Sequence, residues 1–471
     1  MKNKSRHFRE NPSKKKTQLP QNLKIETEKL KCYGFSSDGK GIAKNSEGVI
    51  YFIDNLLPEE EATVEVRHQK STFRNATIQE LVLKSQKRQI PPCRYLQNPE
   101  PQKNCGGCQI QHVKNEFQSE FKIQLLLDAL KRIGKIDALQ LIKIKNNLSY
   151  IYFKTLGYRR RVRLHYNGIH LGFHAQNSSS VIPIQSCLLI SEEMNTAIVT
   201  LREQLNSVSK KILELNDRHP IECQFEFTLS DKNNHIILHL CHVECQKNKS
   251  EIVDLLIKTL NIHNDQLIYL QHPFLNRLKL PKESFIQPHI HAIQSYVYTI
   301  FDHIHRFMTF GLKNHLNSLD LYCGSGMFTA LPYFAAKERD MKVDCFGVEG
   351  IPEACNTAKK YLNEFKINIV EQDVNEFIHF YFEKMQQDKE TPHFDIVILN
   401  PPRTGLKIQS TVKLLEICSK KSQILYLSCD AATFSRDTRI ILDAGFELKH
   451  LNLFDAFGQT VHYETLGVFE R

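Results

Sequence analysis

The chain has 471 residues, 41% hydrophobic and 24% charged, with a net charge of +10. That length admits two to four domains, each with its own core, and the composition excludes a disordered or fibrous protein. No apolar run is long enough to cross a bilayer, and MKNKSRHFRENPSKKK has no apolar region after its charges, so a cytoplasmic protein without a secretory signal is expected.

Residues 1–24 hold eight Lys or Arg and one Glu, so most of the excess charge sits in this tail. Such a basic arm does not fold alone. It either tracks a phosphate backbone or solubilises the terminus.

Residues 25–84 contain short alternating runs broken by glycine, with VIYFID and ATVEV the most β-rich. The pattern predicts a five-stranded barrel of the OB kind. Such barrels bind single-stranded nucleic acid through one face, and the alternative is an SH3-like packing module. Because the basic arm feeds into it, RNA contact is the favoured role.

Thirteen cysteines in a cytosolic chain are expected to stay reduced. Cys32, Cys223, Cys241, Cys245, Cys345, Cys355 and Cys418 sit among apolar or mixed neighbours and read as ordinary core or surface residues. PPCRYLQNPEPQKNCGGCQIQH is different, because the glycines between Cys105 and Cys108 permit a turn that aims two thiolates at one centre. Cys93 joins them, Cys187 in VIPIQSCLLI is the best fourth ligand, and four such cysteines hold zinc or an iron-sulfur cluster, the alternative being a chance CxxC that binds no metal. In GYRRRVRLHYNG, the period of two places Arg159, Arg161 and Arg163 on one side of a strand, facing phosphates or solvent.

From residue 276 strands and helices alternate, which predicts an α/β, doubly wound parallel sheet. NSLDLYCGSGMFTALPYFAAK reads as strand, turn at Gly324 and Gly326, then helix. Glu349 ends CFGVEG, where an acid takes the ribose hydroxyls of an adenosine cofactor, and Asp373 ends INIVEQD, facing the adenine edge. Asn400 ends FDIVILN just before Pro401 and Pro402, a rigid loop suited to fixing a substrate base. Met327 and Phe328 stand where a dinucleotide fingerprint has its third glycine, which disfavours NAD. S-adenosylmethionine carries no phosphate and tolerates such a turn.

ILYLSCD then places Cys429 at the carboxyl edge of the same sheet, where open α/β folds bind ligands. A thiolate there can add to C6 of a uracil and make C5 nucleophilic. A general base must afterwards remove the C5 proton, and Glu464 in TVHYETLGVFER is the carboxylate for it.

Together DLYCGSGMF, NPPRTG, LYLSCD and VHYE resemble the TrmA-like family of RNA 5-methyluridine methyltransferases, and the likeness covers nearly the whole chain after the tail. The resemblance implies a C-terminal Rossmann-like S-adenosylmethionine methyltransferase domain over 276–471. It also implies an N-terminal OB-like TRAM β-barrel over 25–84 and a mixed α+β central domain over 85–275. It further implies a 4Fe-4S cluster on Cys93, Cys105, Cys108 and Cys187, and S-adenosylmethionine contacts from Gln287, Tyr322, Glu349, Asp373 and Asn400. Cys429 would be the nucleophile, Glu464 the proton acceptor, and Arg403 would secure the base loop. The barrel and the cysteine set are similar to those of members acting on large-subunit ribosomal RNA. The expected partner is therefore 23S rRNA in preference to tRNA, with no membrane contact and a monomer as the default.

The chain departs from the family in having Asp430 after Cys429 where Asn is usual, Asn400 where Asp is common, and a longer gap between Cys93 and Cys105. Two other functions fit parts of the sequence. Asn400-Pro401-Pro402 resembles the loop of methyltransferases acting on an exocyclic amine of adenine or guanine, but Arg403 replaces the aromatic residue that would stack there. A non-catalytic RNA-binding iron-sulfur protein would have no use for Cys429 and Glu464.

Overall fold

Alternating side chains decide the first fold unit. Strands β1 (Thr27–Phe35), β2 (Gly41–Lys44), β3 (Ile50–Asp54), β4 (Glu61–Gln69) and β5 (Phe73–Leu83) close into a barrel in the order β1-β2-β3-β5-β4. Its β3 and β5 run parallel, and β1 closes on β4 antiparallel. Leu30, Cys32, Tyr51, Ile53 and Val64 fill the interior. The expected OB-like barrel is present, and Cys32 is core filler whose thiol burial pushes up to about 11. The structure is a computed structural model that describes residues 27–69, 72–98, 100–263, 266–309 and 313–471. The basic tail 1–24 lies outside the described residues.

The barrel unit ends at Lys84 and omits residues 35–40, which belong with 85–471 in the second unit. There, α1 (Asn115–Arg132) and α2 (Ala138–Asn146) lead into β6 (Leu148–Ile151). A five-stranded antiparallel sheet follows from β7 (Arg161–Tyr166), β8 (Leu171–His174), β9 (Val181–Pro183), β10 (Glu222–Leu229) and β11 (Ile236–Glu244). Helices α3 (Glu192–Leu215) and α4 (Lys249–Thr259) share its core. The hairpin β12 (Leu267–His272) and β13 (Asn276–Pro281) precedes α5 (Ala292–Thr309).

The alternating region follows as β14 (His315–Leu321), α6 (Leu331–Lys337), β15 (Lys342–Glu349), α7 (Pro352–Leu362), β16 (Asn368–Glu371) and α8 (Val374–Gln387). It continues with β17 (Phe394–Leu399), α9 (Ile408–Glu416), β18 (Cys418–Ser428), α10 (Ala431–Asp443), β19 (Glu447–Phe454) and β20 (Glu464–Glu470). The eight strands of this sheet lie in the order β16-β15-β14-β17-β18-β20-β19-β6. The five strands from β16 to β18 are parallel, and β20 runs antiparallel to both β18 and β19.

Period-two alternation sends each strand's side chains into two different cores. Ile396, Ile398, Leu425, Leu427, Leu466 and Val468 face α5. Val397, Leu399, Ile424, Tyr426 and Phe469 face the opposite layer with α1, α8, α9 and α10. The expected boundary after residue 275 does not separate compact units, because β6 pairs parallel with β19 and Leu126, Leu130 and Ile144 enter the second core. Lys122 of α1 forms a buried ion pair with Asp455, just past β19, and Tyr150 of β6 donates to the same carboxylate at 2.7 Å.

The arginines of the β7 region face protein groups. Arg161 and Arg163 both pair with Glu226, at 3.4 and 3.0 Å, and Arg161 also donates to the carbonyls of Lys282 and Ser284. The period grouped Arg159 with Arg161 and Arg163, but Arg159 precedes β7 and donates to Arg161 O at 3.0 Å, and the period could not foresee that β10 supplies the counter-charge of the other two.

Gly326 allows α7 to pack closely, since its φ is +82° and a Cβ there would stand 2.5 Å from Leu362 Cδ1. Gly326→Ala should destabilise the protein by about 2–4 kcal/mol. Gly445→Ala, at φ +88° with open space around it, should cost only about 1 kcal/mol. Chemical denaturation of the two variants measures the difference.

Candidate active site

The carboxyl ends of β14, β15, β17 and β18 share one edge of the sheet because these strands are parallel. After β14 the chain turns sharply, with Tyr322, Gly324 and Gly326 all at positive φ, and a left-handed tyrosine marks backbone strain. Glu349, at the end of β15, staples this turn by accepting the N–H groups of Gly324 at 3.0 Å and Ile351 at 2.9 Å. A Cβ on Gly324 would meet nothing within 4 Å, so the turn faces open space.

Tyr322 is half-buried, and burial, then Asp373, pushes its phenol up to about 12. Asp373 lies two residues past β16, where it caps α8 by accepting from Asn375 and Glu376 N–H. Gln287 is buried just ahead of α5, and its Oε1 has no partner among the described residues. An orphan buried acceptor calls for a donor from a ligand. Acceptors bordering an open turn fit an adenosine-bearing ligand without phosphate.

Asn400 follows β17, half-buried, with its N–H 3.4 Å from Leu321 O. The loop beyond it rests on α10, since a Cβ on Gly405 would lie 2.2 Å from Thr433, and Arg436 donates to Leu406 O at 3.0 Å. On the other side of this loop, β18 and β20 pair up to Ser428 and Thr465. One step further along that register stand Cys429 and Glu464. By alternation both side chains share the α5 face with Leu427 and Leu466.

Glu464 is buried, and desolvation pushes its carboxyl up to about 8 against the opposing pull of Arg403. Cys429 is half-buried, and burial first, then the Glu464 charge, raises its thiol while Arg403 lowers it. Arg403 is thus the common counter-charge of the pair. Asp430 is committed to capping α10, accepting Thr433 N–H at 2.7 Å. The departure at this position therefore keeps the function of the cap.

A second constellation lies in a cavity of about 430 Å³ lined by Cys93, Cys105, Cys108 and Cys187 together with Arg159. Burial raises all four thiols, and the thiols act on one another by charge. Elsewhere, among the described residues, Glu226, His239 and Cys241 bring their donor atoms within 4.8 Å of one another. The Glu226 group is poorly suited to a cation, since Arg161 and Arg163 already neutralise its carboxylate.

The strap between β19 and β20 joins the two sites. Val461 and His462 line the cysteine cavity, and Glu464 follows two residues later. Lys122 donates to Phe457 O at 3.1 Å, Tyr158 to Gly458 O at 3.0 Å, and Gln118 to Gln459 Oε1 at 3.1 Å. Sequence reasoning missed these supports, because each bridges about three hundred residues and leaves no local pattern.

The family model described as tRNA (uracil-5-)-methyltransferase matches residues 228–471. The 23S rRNA (uracil(1939)-C(5))-methyltransferase RlmD of Mannheimia succiniciproducens is 27% identical, over 98% of each chain. That of Shewanella halifaxensis is 28% identical, over 92% of this chain and 93% of its own. The crystal structure of Pyrococcus abyssi tRNA (uracil-54, C5)-methyltransferase in complex with S-adenosyl-L-homocysteine has the same fold. It covers 94% of this chain and 100% of that one, with a TM-score of 0.60 at 18% identity.

Replacing Arg403 removes the charge that favours the Cys429 thiolate. In Arg403→Gln, alkylation of Cys429 by iodoacetamide at fixed pH should slow about three- to tenfold, followed by mass spectrometry of the Cys429 peptide. An unchanged rate would show that the guanidinium does not act on the thiol.

Proposed function

The chain belongs to the tRNA (uracil-5-)-methyltransferase family, and from that premise we propose that it methylates C5 of a uridine in 23S rRNA by covalent catalysis from Cys429. It is an S-adenosylmethionine-dependent RNA (uracil-C5) methyltransferase. The observation carrying the finer reading is the register that sets Cys429 beside Glu464 on one sheet face.

The Cys429 thiolate adds to C6 of the uracil, forming an S–C bond and shifting the ring electrons to C5. C5 then takes the methyl group from the sulfonium, whose S–CH₃ bond breaks to release S-adenosylhomocysteine. Glu464 accepts the C5 proton. The freed electron pair restores the C5=C6 bond and expels the thiolate. Gln287, Tyr322, Glu349 and Asp373 would hold the cofactor and Asn400 the edge of the site, with Arg403 favouring both anions.

The four cysteines that line one cavity supply the thiolate set that holds a 4Fe-4S cluster, and the resemblance of the cysteine set to that of the ribosomal members carries this choice over zinc. When bound, it would tie together the segments bearing Cys93, Cys105 with Cys108, and Cys187. The methyl transfer written above moves no net electrons. Preference for 23S rRNA over tRNA rests on the relatives' specificity, on the cysteine set and on the OB-like barrel, read as a TRAM domain contacting RNA.

Anaerobically purified protein incubated with unmodified 23S rRNA and methyl-labelled S-adenosylmethionine should place label in 5-methyluridine. Cys429→Ala should lower this by about a thousandfold or more. Label in a methylated adenine or guanine would instead favour the amine reading. Since Glu464 must be ionised to accept a proton and burial raises it to about 8, single-turnover rates should climb as pH rises through that value. A rate independent of pH from 6 to 9 would remove Glu464 from the role. Iron and sulfide content should fall in Cys105→Ser, and metal-free wild-type protein would refute the cluster.

A further inference from the structure

Helix α5 carries a polar group that the fold leaves unused. Tyr296 is fully buried, and its hydroxyl has no hydrogen-bond partner among the described residues. Phenylalanine would fill the same volume without an unsatisfied donor. The tyrosine ring stands edge-on to Phe454, with centroids 4.7 Å apart and planes at 79°. Phe454 is the direct register partner of Glu464 across β19 and β20. Opposite residues of an antiparallel pair project to the same face, so Tyr296 contacts the immediate cross-strand neighbour of Glu464 on that face. Glu464 acts most strongly on the phenol by charge, followed by Cys429 and Asp455.

We propose that Tyr296 is a positioning residue for Glu464, donating a hydrogen bond to the ionised carboxylate, directly or through one water, and holding it toward C5 of the bound uracil. The inference rests on the reading of Glu464 as the base. A donor facing the charged form favours that form, and a buried carboxyl without donors stays protonated and cannot accept the C5 proton. The groups facing Glu464 are Arg403 from the loop after β17, Cys429 from β18 and Tyr296 from α5. Asp455 adds its charge on the Tyr296 side. The proton leaving C5 ends on Glu464, and the Tyr296 proton stays on its oxygen throughout.

The test compares wild type, Tyr296→Phe and Glu464→Gln in single turnovers with RNA carrying tritium at C5 of uridine. Tritium release, covalent RNA–protein adduct and the pH dependence of release are measured, with melting temperature as a control. Tyr296→Phe should melt at or above the wild-type temperature. At pH 7 it should release tritium about tenfold more slowly, with the adduct persisting. Its rate should rise through a pH about one unit higher than wild type and recover in alkali. An unchanged pH profile and release rate in Tyr296→Phe, with Glu464→Gln arrested at the adduct, overturns the inference and leaves the base assignment standing. A uniform loss at every pH with a lowered melting temperature also overturns it, by making Tyr296 a packing residue. Wild-type tritium release by Glu464→Gln overturns the base assignment and the inference together.

Discussion

The chemistry of this chain depends on one strand running backwards. Because β20 is antiparallel to β18, its first residue emerges at the edge where β18 delivers its last. A parallel strand in the same slot would carry Glu464 to the far edge of the sheet. A slip of one residue in the pairing would turn it into the opposite core. The register is fixed on both sides, since β20 also pairs along its length with β19. The strap between them is anchored by Lys122, Gln118 and Tyr158. The proposed nucleophile and base are therefore placed by the backbone hydrogen bonds of the sheet.

That placement creates an electrostatic conflict. Burial raises both the thiol and the carboxyl, and the Glu464 charge raises the Cys429 thiol further. The fold answers with one guanidinium, Arg403, on a loop held against α10. Asp430 would add a third negative charge, but it faces the first turn of α10, where backbone N–H groups accept it. In the proposed mechanism the site holds the thiolate's charge first, and the C5 proton passes to the carboxylate later.

Much of this was legible in the sequence. The barrel followed from alternating runs, and the doubly wound sheet from strands ending in Glu349, Asn400 and Cys429. Those signals are local, as strand ends and tight turns are. What could not be read was pairing. Nothing in LSYI predicts that it becomes the outermost strand of a sheet built mostly from residues beyond 315. The period of two placed Arg161 and Arg163 together but said nothing of Glu226, which comes from β10. The Cys-Gly-Gly-Cys turn pointed to two convergent thiols, while the cavity that Cys93 and Cys187 line with them depends on tertiary structure. Glu464 was identified by its motif, and only the register explains why that acid and not another stands beside Cys429.

Residues 35–40 interrupt the barrel's sequence yet belong to the second unit. Phe35 packs its ring 4.2 Å from that of Phe121, and Gly39 sits so near Val461 that a Cβ would lie 2.7 Å away. The two units are therefore interleaved along the chain. A fragment beginning at Ser85 would lack a piece of its own packing, and an excised barrel would carry that piece without its partners. Closing the second unit brings residue 39 against residue 461, a loop whose entropy must be overcome before its contacts reward it. Contacts of such long sequence range slow folding, and the strap that delivers Glu464 depends on one of them.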